Sequence, residues 1–385
     1  MKHIIKRIKE LIIGIYSYNI LSKNNILPPK RLLLVLTYRC NSRCIMCNIW
    51  KMKPKKEMSL NQWKKILEDP MFQHIEKINI TGGEALLSPN CIPIIELLVR
   101  NIPKLSYIDI VSNGFATELI RKKVQSMLTI CKKNNIIFSI SISLDGIGMK
   151  HEELRGIPNA YNLVMASILK LKELQKQYPF SIVVGSVLMK QTVSEIEKLQ
   201  AWSKQNNIPQ CFQVVGFHDT YVDNLNKQKD IIFSKQNNKK ILRLFETLGK
   251  PKNWKDIISY FWKDMYFMYK YQVPRSTPCP FLYDEFAIDA LGNVFYCLSE
   301  HGIGNIKDTT SVSPVSDLYF DPKNIQYRNY IKTHCCPTCN SECNVRKAIA
   351  YDFKKYIWLL ITGTPWYGIS FHIKQLKQHI RKALP

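Results

Sequence analysis

The chain has 385 residues, enough for one large α/β domain and an accessory domain. Its formal net charge of +25 is concentrated at the ends, where residues 1–34 carry seven Lys and Arg against one Glu and residues 351–385 carry six against one Asp, so it is weak support for a nucleic-acid partner. No stretch reaches the ~20 apolar residues of a membrane-spanning helix, and no small-residue cleavage site follows the basic start. We therefore expect a cytoplasmic protein.

The N-terminal segment, residues 1–30, predicts a basic amphipathic helix. Isoleucines and leucines recur at helical spacing in residues 2–21, with Lys2, Lys6, Arg7 and Lys9 opposite them. Such a helix either packs on its own domain or lies on an anionic membrane surface. Both interpretations stay open at this point.

Residues 31–245 alternate short β-rich runs with helical patterns. The predicted strands are 32–37, 77–81, 107–112, 137–144, 181–188 and 212–216. Helices are predicted over 118–133 and 161–177, and Ser59 with Gln62 and Thr192 with Glu195 predict capping boxes. This alternation predicts an α/β fold with a parallel sheet and six strand–helix units, too few for a closed eight-stranded barrel.

The strand near residue 140 has one apolar face and one small polar face. Isoleucine, phenylalanine and leucine alternate there with Ser139, Ser141 and Ser143. Helices must cover the apolar face, so the serines should lie on the inner face of the sheet. Small polar residues leave room there for a ligand.

Three thiols follow the first strand on one short loop, at Cys40, Cys44 and Cys47. Iron–sulfur clusters are held by cysteine thiolates, usually four. A loop that supplies three leaves one position open, which is typical of catalytic metal sites. A zinc site is the alternative on spacing alone.

The loop resembles the C-x3-C-x-aromatic-C signature of radical S-adenosylmethionine (SAM) enzymes, with Met46 at the aromatic position. The resemblance implies a partial (β/α)6 TIM-like barrel. It also implies a [4Fe–4S] cluster on the three thiolates, whose fourth iron binds SAM, and reductive cleavage of SAM to a 5′-deoxyadenosyl radical.

Later strand ends resemble the SAM-binding motifs of the same family. Thr81-Gly82-Gly83-Glu84 is similar to its GGE motif, with Ala85 in place of the usual proline. Ser112-Asn113-Gly114, Ser143 and Arg155 match segments that contact the ribose and carboxylate of SAM. The resemblance therefore implies that SAM is bound by Gly82, Gly83, Glu84, Asn113, Ser143 and Arg155.

Six further cysteines lie between residues 279 and 343, and the spacing C-x12-G-x4-C from Cys279 to Cys297 resembles the SPASM or twitch domains of radical SAM enzymes. The resemblance implies a small C-terminal iron–sulfur domain over 276–350, preceded by a connecting segment 246–275 and followed by a basic aromatic tail 351–385. One auxiliary iron–sulfur cluster is favoured by the cysteine count. Its candidate ligands are Cys279, Cys297, Cys336 and Cys339, with Cys343 a rival and Cys335 the weakest candidate.

The three remaining cysteines, Cys91, Cys131 and Cys211, are expected to be small buried hydrophobes. The clustered ones read as metal ligands in a reducing compartment rather than as disulfides. A zinc knuckle is the alternative for the C-terminal group.

The predicted function is hydrogen-atom abstraction by a radical SAM enzyme, from an unidentified small-molecule, glycan or lipid-linked substrate. A peptide- or protein-modifying maturase is the main alternative, and a non-enzymatic zinc-knuckle nucleic-acid binder is the alternative of another class. The expected partners are a flavodoxin- or ferredoxin-type electron donor and, from the two basic ends, a peripheral membrane surface. No nucleic acid is expected.

Overall fold

The computed structural model describes residues 9, 11–22, 25–52, 56–233, 238–251, 253, 256–342 and 345–367. Within these residues the chain forms two compact units. The larger unit comprises the described parts of Pro28–Ser234 and Asp284–Arg328. The smaller unit comprises the described parts of Met1–Leu27, Lys235–Tyr283 and Asn329–Pro385.

The larger unit contains one sheet, whose described strands are β1 Arg31–Val35, β2 Lys77–Thr81, β3 Tyr107–Ser112, β4 Ile137–Ser143, β5 Ser181–Leu188, β6 Gln210–Val214, β7 Glu285–Ile288, β8 Asn293–Phe295 and β9 Gly304–Asn305. Their spatial order is β6-β5-β4-β3-β2-β1-β7-β8-β9. The first six strands are parallel and neighbour one another in chain order. The predicted parallel sheet of a partial (β/α)6 barrel is therefore confirmed.

The helices described in the chain are α1 Leu60–Ile66, α2 Cys91–Asn101, α3 Thr117–Lys133, α4 Met149–Arg155, α5 Ala160–Gln175, α6 Ile196–Asn206, α7 Gln228–Ile231, α8 Asn238–Leu248, α9 Ile258–Tyr271, α10 Pro314–Phe320, α11 Pro322–Tyr330, α12 Val345–Tyr351 and α13 Phe353–Thr362. The capping box of Ser59 and Gln62 is present at the start of α1. The one predicted at Thr192 is wrong, because the Thr192 hydroxyl donates to Val187 O at 2.8 Å and a 3-10 turn, Lys190–Glu195, precedes α6.

The two faces of the sheet differ as the serine pattern predicts. Six isoleucines of the central strands are completely buried: Ile78, Ile80, Ile108, Ile110, Ile140 and Ile142. On the other face Asn79, Asp109 and Ser139 lie in register across β2, β3 and β4. Asn79 donates to Asp109 Oδ2 at 3.3 Å, and burial raises the pKa of Asp109 to about 6. The sequence interpretation did not single out this acidic residue.

The hairpin that follows Cys279 belongs to this sheet. β7 pairs in parallel with β1, and β8 and β9 continue the sheet in antiparallel pairing. Arg31 N donates to Asp284 O at 3.0 Å where β1 and β7 begin. The compact units thus follow boundaries other than those expected from the cysteine groups, because the hairpin strands pair with the otherwise open edge of β1.

The smaller unit is helical and rich in aromatic contacts. Phe245 of α8 stacks on Trp262 of α9 with ring centroids 5.6 Å apart. The helical residues 11–22 pack on α12, where the Gly14 backbone contacts the Tyr351 ring and Asn19 Nδ2 donates to Tyr351 O at 2.8 Å. This supports packing of the N-terminal helix on its own unit. Residues 1–8, 10 and 368–385, which carry the rest of both amphipathic patterns, lie outside the described residues.

The expectation that the three scattered cysteines are buried holds for two of them. Cys91 and Cys131 are buried as predicted, but Cys211 is exposed because it lies in register with Gly185 and Ser143 on the polar face of the sheet. Across the described chain, every helix is too short or too polar to traverse a bilayer.

Candidate functional site

The three-cysteine loop leaves the carboxyl end of β1 and is fixed at its start by two carboxylates. Glu57 Oε1 accepts from Thr37 Oγ1 at 2.8 Å and from Tyr38 N at 2.9 Å. The Tyr38 hydroxyl donates to Asp289 Oδ2 at 2.8 Å. The loop therefore begins from a rigid base at the end of the sheet where barrel enzymes carry their chemistry.

Gly82 and Gly83, just after β2, pack directly on this loop. Gly83 N donates to Thr37 O at 2.8 Å, and Glu84 N donates to Arg39 O at 2.8 Å. A Cβ on Gly82 would lie 2.5 Å from Thr37 O, and one on Gly83 would clash with Arg39 O. Glycine is required here because two backbones meet. Within the described residues, the space that both glycines leave is taken up by the cysteine loop.

Glu84 connects the ends of β2 and β3. Its side chain is 1% exposed, and its carboxylate accepts from Asn113 N at 2.6 Å, from Leu86 N at 3.2 Å and from the Ser112 hydroxyl. Burial raises the pKa of Glu84 to about 7, although these donors oppose the rise. Asn113 Nδ2 in turn donates to Asn41 Oδ1 at 2.7 Å, so both predicted SAM-binding residues are tied to the cysteine loop.

Arg155, the last residue of α4, lies against the same loop. Its Nη1 donates to Cys44 Sγ at 3.5 Å, and its carbonyl oxygen accepts from Arg43 N at 2.9 Å and from Ser42 Oγ at 3.2 Å. Its Nη2 forms a 2.6 Å ion pair with Asp145 Oδ2. The guanidinium thus places a positive charge next to a cysteine thiol and is itself held by a carboxylate.

Asp145 is a site residue that the sequence interpretation missed, since Asp145-Gly146 reads as a turn. It is completely buried, and its Oδ1 accepts from Val187 N at 2.8 Å. Its backbone N–H donates to His151 Nδ1 at 3.1 Å, and burial lowers the pKa of His151 to about 3, so the imidazole is neutral. No pattern in the sequence distinguishes this aspartate from an ordinary turn residue.

Ser143 stands apart from the other predicted SAM-binding residues. It is half-buried at the end of β4, in register with Gly185 of β5. The structure brings the cysteine loop together with Gly82, Gly83, Glu84, Asn113 and Arg155. Ser143 lies on the polar face of the sheet, and within the described residues no hydrogen bond joins its hydroxyl to that group.

The thiols fit an anionic cluster. Cys40 Sγ accepts from Ser42 N at 3.4 Å and Cys47 Sγ accepts from Ile49 N at 3.4 Å. Burial raises the pKa of Cys40 to about 11 and that of Cys47 to about 12, so metal binding must drive deprotonation. Donors to sulfur and the Arg155 cation stabilise thiolates once they form. In the described part of the chain, no set of three His, Cys, Asp or Glu side chains is spaced to hold a single metal ion.

The segment 218–227, after β6, closes over the cysteine loop. Asn224, which is 1% exposed, donates from Nδ2 to Met46 O at 2.8 Å. Lys227 Nζ donates to Cys47 O at 3.0 Å. The sequence predicts only a connecting and covering role for residues 220–275. An Asn- and Lys-rich run without periodicity carries no signal for such specific contacts.

A cavity of about 410 Å³ adjoins the loop and is lined by Arg43, Cys44, Ile45, Trp50, Gln191, Lys227, Asp230 and Ile231. It reaches Cys44 but none of the residues expected to contact SAM. Two of its lining residues, Arg43 and Lys227, are cationic, and one, Asp230, is acidic. The cavity is therefore a basic, aromatic recess beside the cysteine loop.

The second cysteine group is divided between the two units. Cys279, Cys335, Cys336 and Cys339 belong to the smaller unit, and all are half-buried. Cys297 belongs to the larger unit, after β8, and Cys343 lies outside the described residues. The structure therefore describes three of the five candidate ligands within one unit.

Arg275 joins the two cysteine-bearing segments of the smaller unit. Its backbone N–H donates to Pro337 O at 2.7 Å, and its Nη1 donates to Cys339 O at 3.3 Å and to Ser341 O at 2.9 Å. Its Nε donates to Thr277 O at 3.0 Å. A single guanidinium thus holds the chain before Cys279 against the segment around Cys339.

A parallel α/β half-barrel whose first loop carries three cysteines, with the next strand ends bonded to that loop, defines the core of a radical SAM enzyme. Residues 34–202 of the chain match the family model described as the Radical SAM superfamily. Its members are enzymes, which argues against the non-enzymatic alternative. The family implies a [4Fe–4S] cluster and SAM as cofactors.

Curated relatives match parts of the chain. The sporulation killing factor maturation protein SkfB of Bacillus subtilis is 29% identical over 36% of this chain and 32% of its own length. The antilisterial bacteriocin subtilosin biosynthesis protein AlbA of the same organism is 23% identical over 70% of this chain and 56% of its own length. The matched regions thus span about a third and just over half of these two relatives.

Among solved structures, Streptococcus suis SuiB bound to S-adenosylmethionine superposes with a TM-score of 0.54 at 16% identity, covering 84% of this chain and 75% of SuiB. A second structure, SuiB bound to precursor peptide SuiA, covers 85% of this chain and 72% of SuiB, also with a TM-score of 0.54 at 16% identity. At this identity the likeness supports the fold.

Proposed function

We propose that the chain reductively cleaves SAM at a [4Fe–4S] cluster held by Cys40, Cys44 and Cys47, and that the resulting radical abstracts a hydrogen atom from a peptide. The observation that carries this proposal is the direct bonding of one three-thiol loop to Gly83, Glu84 and Asn113 on the sheet side and to Arg155 at the end of α4. The cluster supplies the electron chemistry, and the chain supplies orientation and shielding.

The side chains around the loop have complementary roles toward SAM. The Glu84 carboxylate has about four acceptor positions, and three donors occupy it, which leaves one for the SAM ammonium group. Asn113 and Ser143 would contact the ribose of bound SAM, and Arg155 would contact its carboxylate. Gly82 and Gly83 allow the cysteine loop to pack beside these proposed SAM-binding residues.

A peptide is the substrate class that the relatives favour over the small-molecule, glycan or lipid-linked substrates expected from sequence. SkfB is named for maturation of a killing factor, AlbA for biosynthesis of a bacteriocin, and SuiB is solved with a precursor peptide. SkfB and AlbA share part of the sequence of this chain, and SuiB shares its fold. A SPASM-type maturase is therefore the function we propose.

The first experiment is anaerobic reconstitution with iron and sulfide, followed by dithionite and SAM, with iron per chain and 5′-deoxyadenosine measured. We expect deoxyadenosine from the wild type and none from a Cys40→Ala/Cys44→Ala/Cys47→Ala variant. Well-loaded wild-type protein that forms no deoxyadenosine would contradict the proposal.

The second experiment tests the substrate class. The enzyme is incubated with the low-mass fraction of cells that express the gene, grown in perdeuterated medium, and deuterium in 5′-deoxyadenosine is measured. Abstraction transfers deuterium from the substrate carbon to the deoxyadenosyl radical. We expect the label to disappear when the fraction is first digested with proteinase K. Label that survives digestion would indicate a non-peptide substrate.

The smaller unit carries the proposed auxiliary iron–sulfur cluster. Cys279, Cys336 and Cys339 are its proposed ligands within that unit, with Cys297 and Cys343 as the further candidates. The Arg275 cation among these thiols suits an anionic thiolate cluster. Iron that remains bound to the triple variant of the first loop would support this site, and zinc in its place would contradict it.

A flavodoxin- or ferredoxin-type protein is the proposed electron donor, and the surface beside the loop supports it. Trp50 lies between two cations, with Arg43 5.1 Å and Lys51 5.2 Å from its ring centroid, and its Nε1 donates to Cys47 O at 3.0 Å. Arg43 and Lys51 are exposed. This basic face is complementary to an acidic electron carrier and lies next to a cluster ligand.

Peripheral contact with an anionic membrane is proposed from exposed apolar residues in the smaller unit. Ile12 and Ile13 are 59% and 56% exposed, and Ile361 of α13 is 78% exposed. We expect the wild type to sediment with phosphatidylglycerol vesicles more than an Ile12→Ser/Ile361→Ser variant. Val312→Ser, which changes an 85% exposed valine of the larger unit, is the matched control. Equal sedimentation of all three proteins would contradict the proposal.

A further inference from the structure

Among the residues that the structure describes, one nitrogen of Arg275 has no hydrogen-bond partner. The Nη2 atom is buried and unpaired among the described residues, whereas Nε and Nη1 both donate to backbone carbonyl oxygens. A buried donor left unpaired is costly, so a group that accepts from it is expected.

The surroundings of Arg275 identify the kind of acceptor. Burial alone would lower the pKa of this guanidinium, but Cys339, Cys279, Asp264 and Cys336 together raise it above its ordinary value. Three of these four groups are thiols. Arg275 Nη1 also donates to Cys339 O at 3.3 Å, which places the guanidinium directly beside this cysteine.

Asp264 does not neutralise Arg275 through an ion pair. Its completely buried carboxylate accepts from Ser276 N at 2.9 Å, from Thr277 N at 2.7 Å and from the Tyr367 hydroxyl at 2.5 Å. No ion pair within 4.0 Å joins Arg275 to a carboxylate in the described part of the chain. Among the described residues, the guanidinium therefore has no directly paired carboxylate, and its Nη1 contacts the segment that carries Cys339.

We propose that Arg275 donates from Nη2 to the auxiliary iron–sulfur cluster and raises its reduction potential. This inference rests on the proposed function, because it assumes the cluster at Cys279, Cys336 and Cys339. A cation near the cluster favours the more negative, reduced state, and hydrogen bonds to cluster sulfurs act in the same direction. Arg275 is thus a tuning and positioning residue for the cluster.

The test measures a potential rather than turnover. In the Cys40→Ala/Cys44→Ala/Cys47→Ala background, which holds only the auxiliary cluster, the reduction midpoint is followed by EPR. Arg275→Gln should shift the equilibrium at least tenfold toward the oxidised state, about 59 mV for a one-electron couple. Arg275→Lys, which keeps the charge, should shift it less. Arg243→Gln, an exposed arginine of α8, should leave it unchanged. A loaded Arg275→Gln protein with the midpoint of Arg243→Gln would overturn the inference.

A second measurement covers the case in which Arg275→Gln does not assemble a cluster. The triple variant is prepared with ¹⁵N-arginine, and pulsed EPR of the reduced cluster should detect a ¹⁵N coupling that Arg275→Lys lacks. Absence of this coupling in the labelled triple variant would overturn the inference. So would absence of auxiliary iron, whereas deoxyadenosine formation by the wild type would still support the proposed SAM cleavage.

Discussion

Each of the two cysteine groups has an arginine with a buried side-chain nitrogen beside its thiols. The two arginines differ in how their positive charge is balanced. In the larger unit, Arg155 is paired with Asp145 at 2.6 Å while it donates to Cys44. In the smaller unit, Arg275 donates to carbonyl oxygens of Cys339 and Ser341 and lacks an ion-pair partner among the described residues. The first arginine has a directly paired carboxylate, and the second has none among the described residues.

This difference indicates that the two proposed clusters have different electronic roles. A cluster that reduces SAM needs a low potential, so a neutralised cation beside it avoids stabilising the reduced state. A cluster beside a cation without an ion-pair partner would be easier to reduce and would suit the acceptance of an electron from a substrate radical. Nearby charge and sulfur hydrogen bonds set such potentials.

The largest expected effect comes from removing one ligand of the first group. Cys44→Ala should reduce 5′-deoxyadenosine formation by at least ~10³-fold, because the cofactor carries the chemistry, while iron of the second group remains bound. Cys211→Ala, which removes an exposed thiol, is the control. Loss of all iron in Cys44→Ala would show that the two groups do not form separate sites.

The next largest effect comes from removing the ion-pair partner of Arg155, which would leave this arginine unpaired as Arg275 is among the described residues. Asp145→Asn leaves Arg155 without its ion-pair partner in a buried position, which costs about 3–5 kcal/mol of unfolding free energy. Urea unfolding of the anaerobic protein measures this loss. Asp230→Asn, at an exposed aspartate, should have little effect. If both variants unfold at the same urea concentration, the Asp145–Arg155 pair does not stabilise the site.

A smaller effect is a pH dependence of SAM binding that belongs to the first group. Glu84 has a pKa of about 7 in the folded protein, raised by burial, and its ionised form accepts from the SAM ammonium. Affinity should therefore rise about tenfold from pH 6 to pH 8. In equilibrium dialysis, Glu84→Gln should bind weakly with a flat profile, and Glu118→Gln should keep the slope. A slope that survives in Glu84→Gln would assign it to another group.

In the absence of SAM, the raised pKa of Glu84 has the opposite pH dependence for folding stability, which falls as pH rises. Since the folded pKa of Glu84 lies above its ordinary value of 4.5, its contribution to stability is complete below that pH. The contribution is lost as pH rises through about 7. Binding of the ammonium would offset this loss.

The smallest expected effect concerns electron supply to the first group. Lys51→Glu should slow deoxyadenosine formation driven by an acidic flavodoxin a few-fold at low ionic strength and little at high salt, because exposed charges are screened. The rate with dithionite should not change. Lys122→Glu on α3 is the matched control. An equal loss with dithionite would indicate damage to the loop rather than to donor docking.

Much of the larger unit was predictable because it follows periodic patterns. β2, β3 and β5 have the predicted bounds, and the serines of β4 lie on the polar face. β1 ends two residues early because the chain turns into the cysteine loop at Leu36 and Thr37. The family motifs lie at consecutive strand ends, so parallel pairing alone brings them together.

The interactions that complete each group were not predictable. Asp145 reads as a turn residue, Asn224 lies in a run without periodicity, and Arg275 is an isolated arginine between two helical patterns. Asp145 accepts from Val187 N 42 positions away, Arg275 donates to Cys339 O 64 positions away, and Asn224 donates to Met46 O 178 positions away. No local pattern encodes such contacts. The pairing of β7 with β1 escapes prediction for the same reason.

That strand pairing has a consequence for how the chain can be dissected. The larger unit consists of two separate stretches of sequence, of which the first ends before Lys235 and the second begins at Asp284. No single cut in the chain therefore separates the two units. A fragment ending near residue 245 would lack β7 and expose the edge of β1, directly before the cysteine loop. Unpaired edge strands promote aggregation. An excised half-barrel should therefore aggregate unless residues 284–328 are supplied as well.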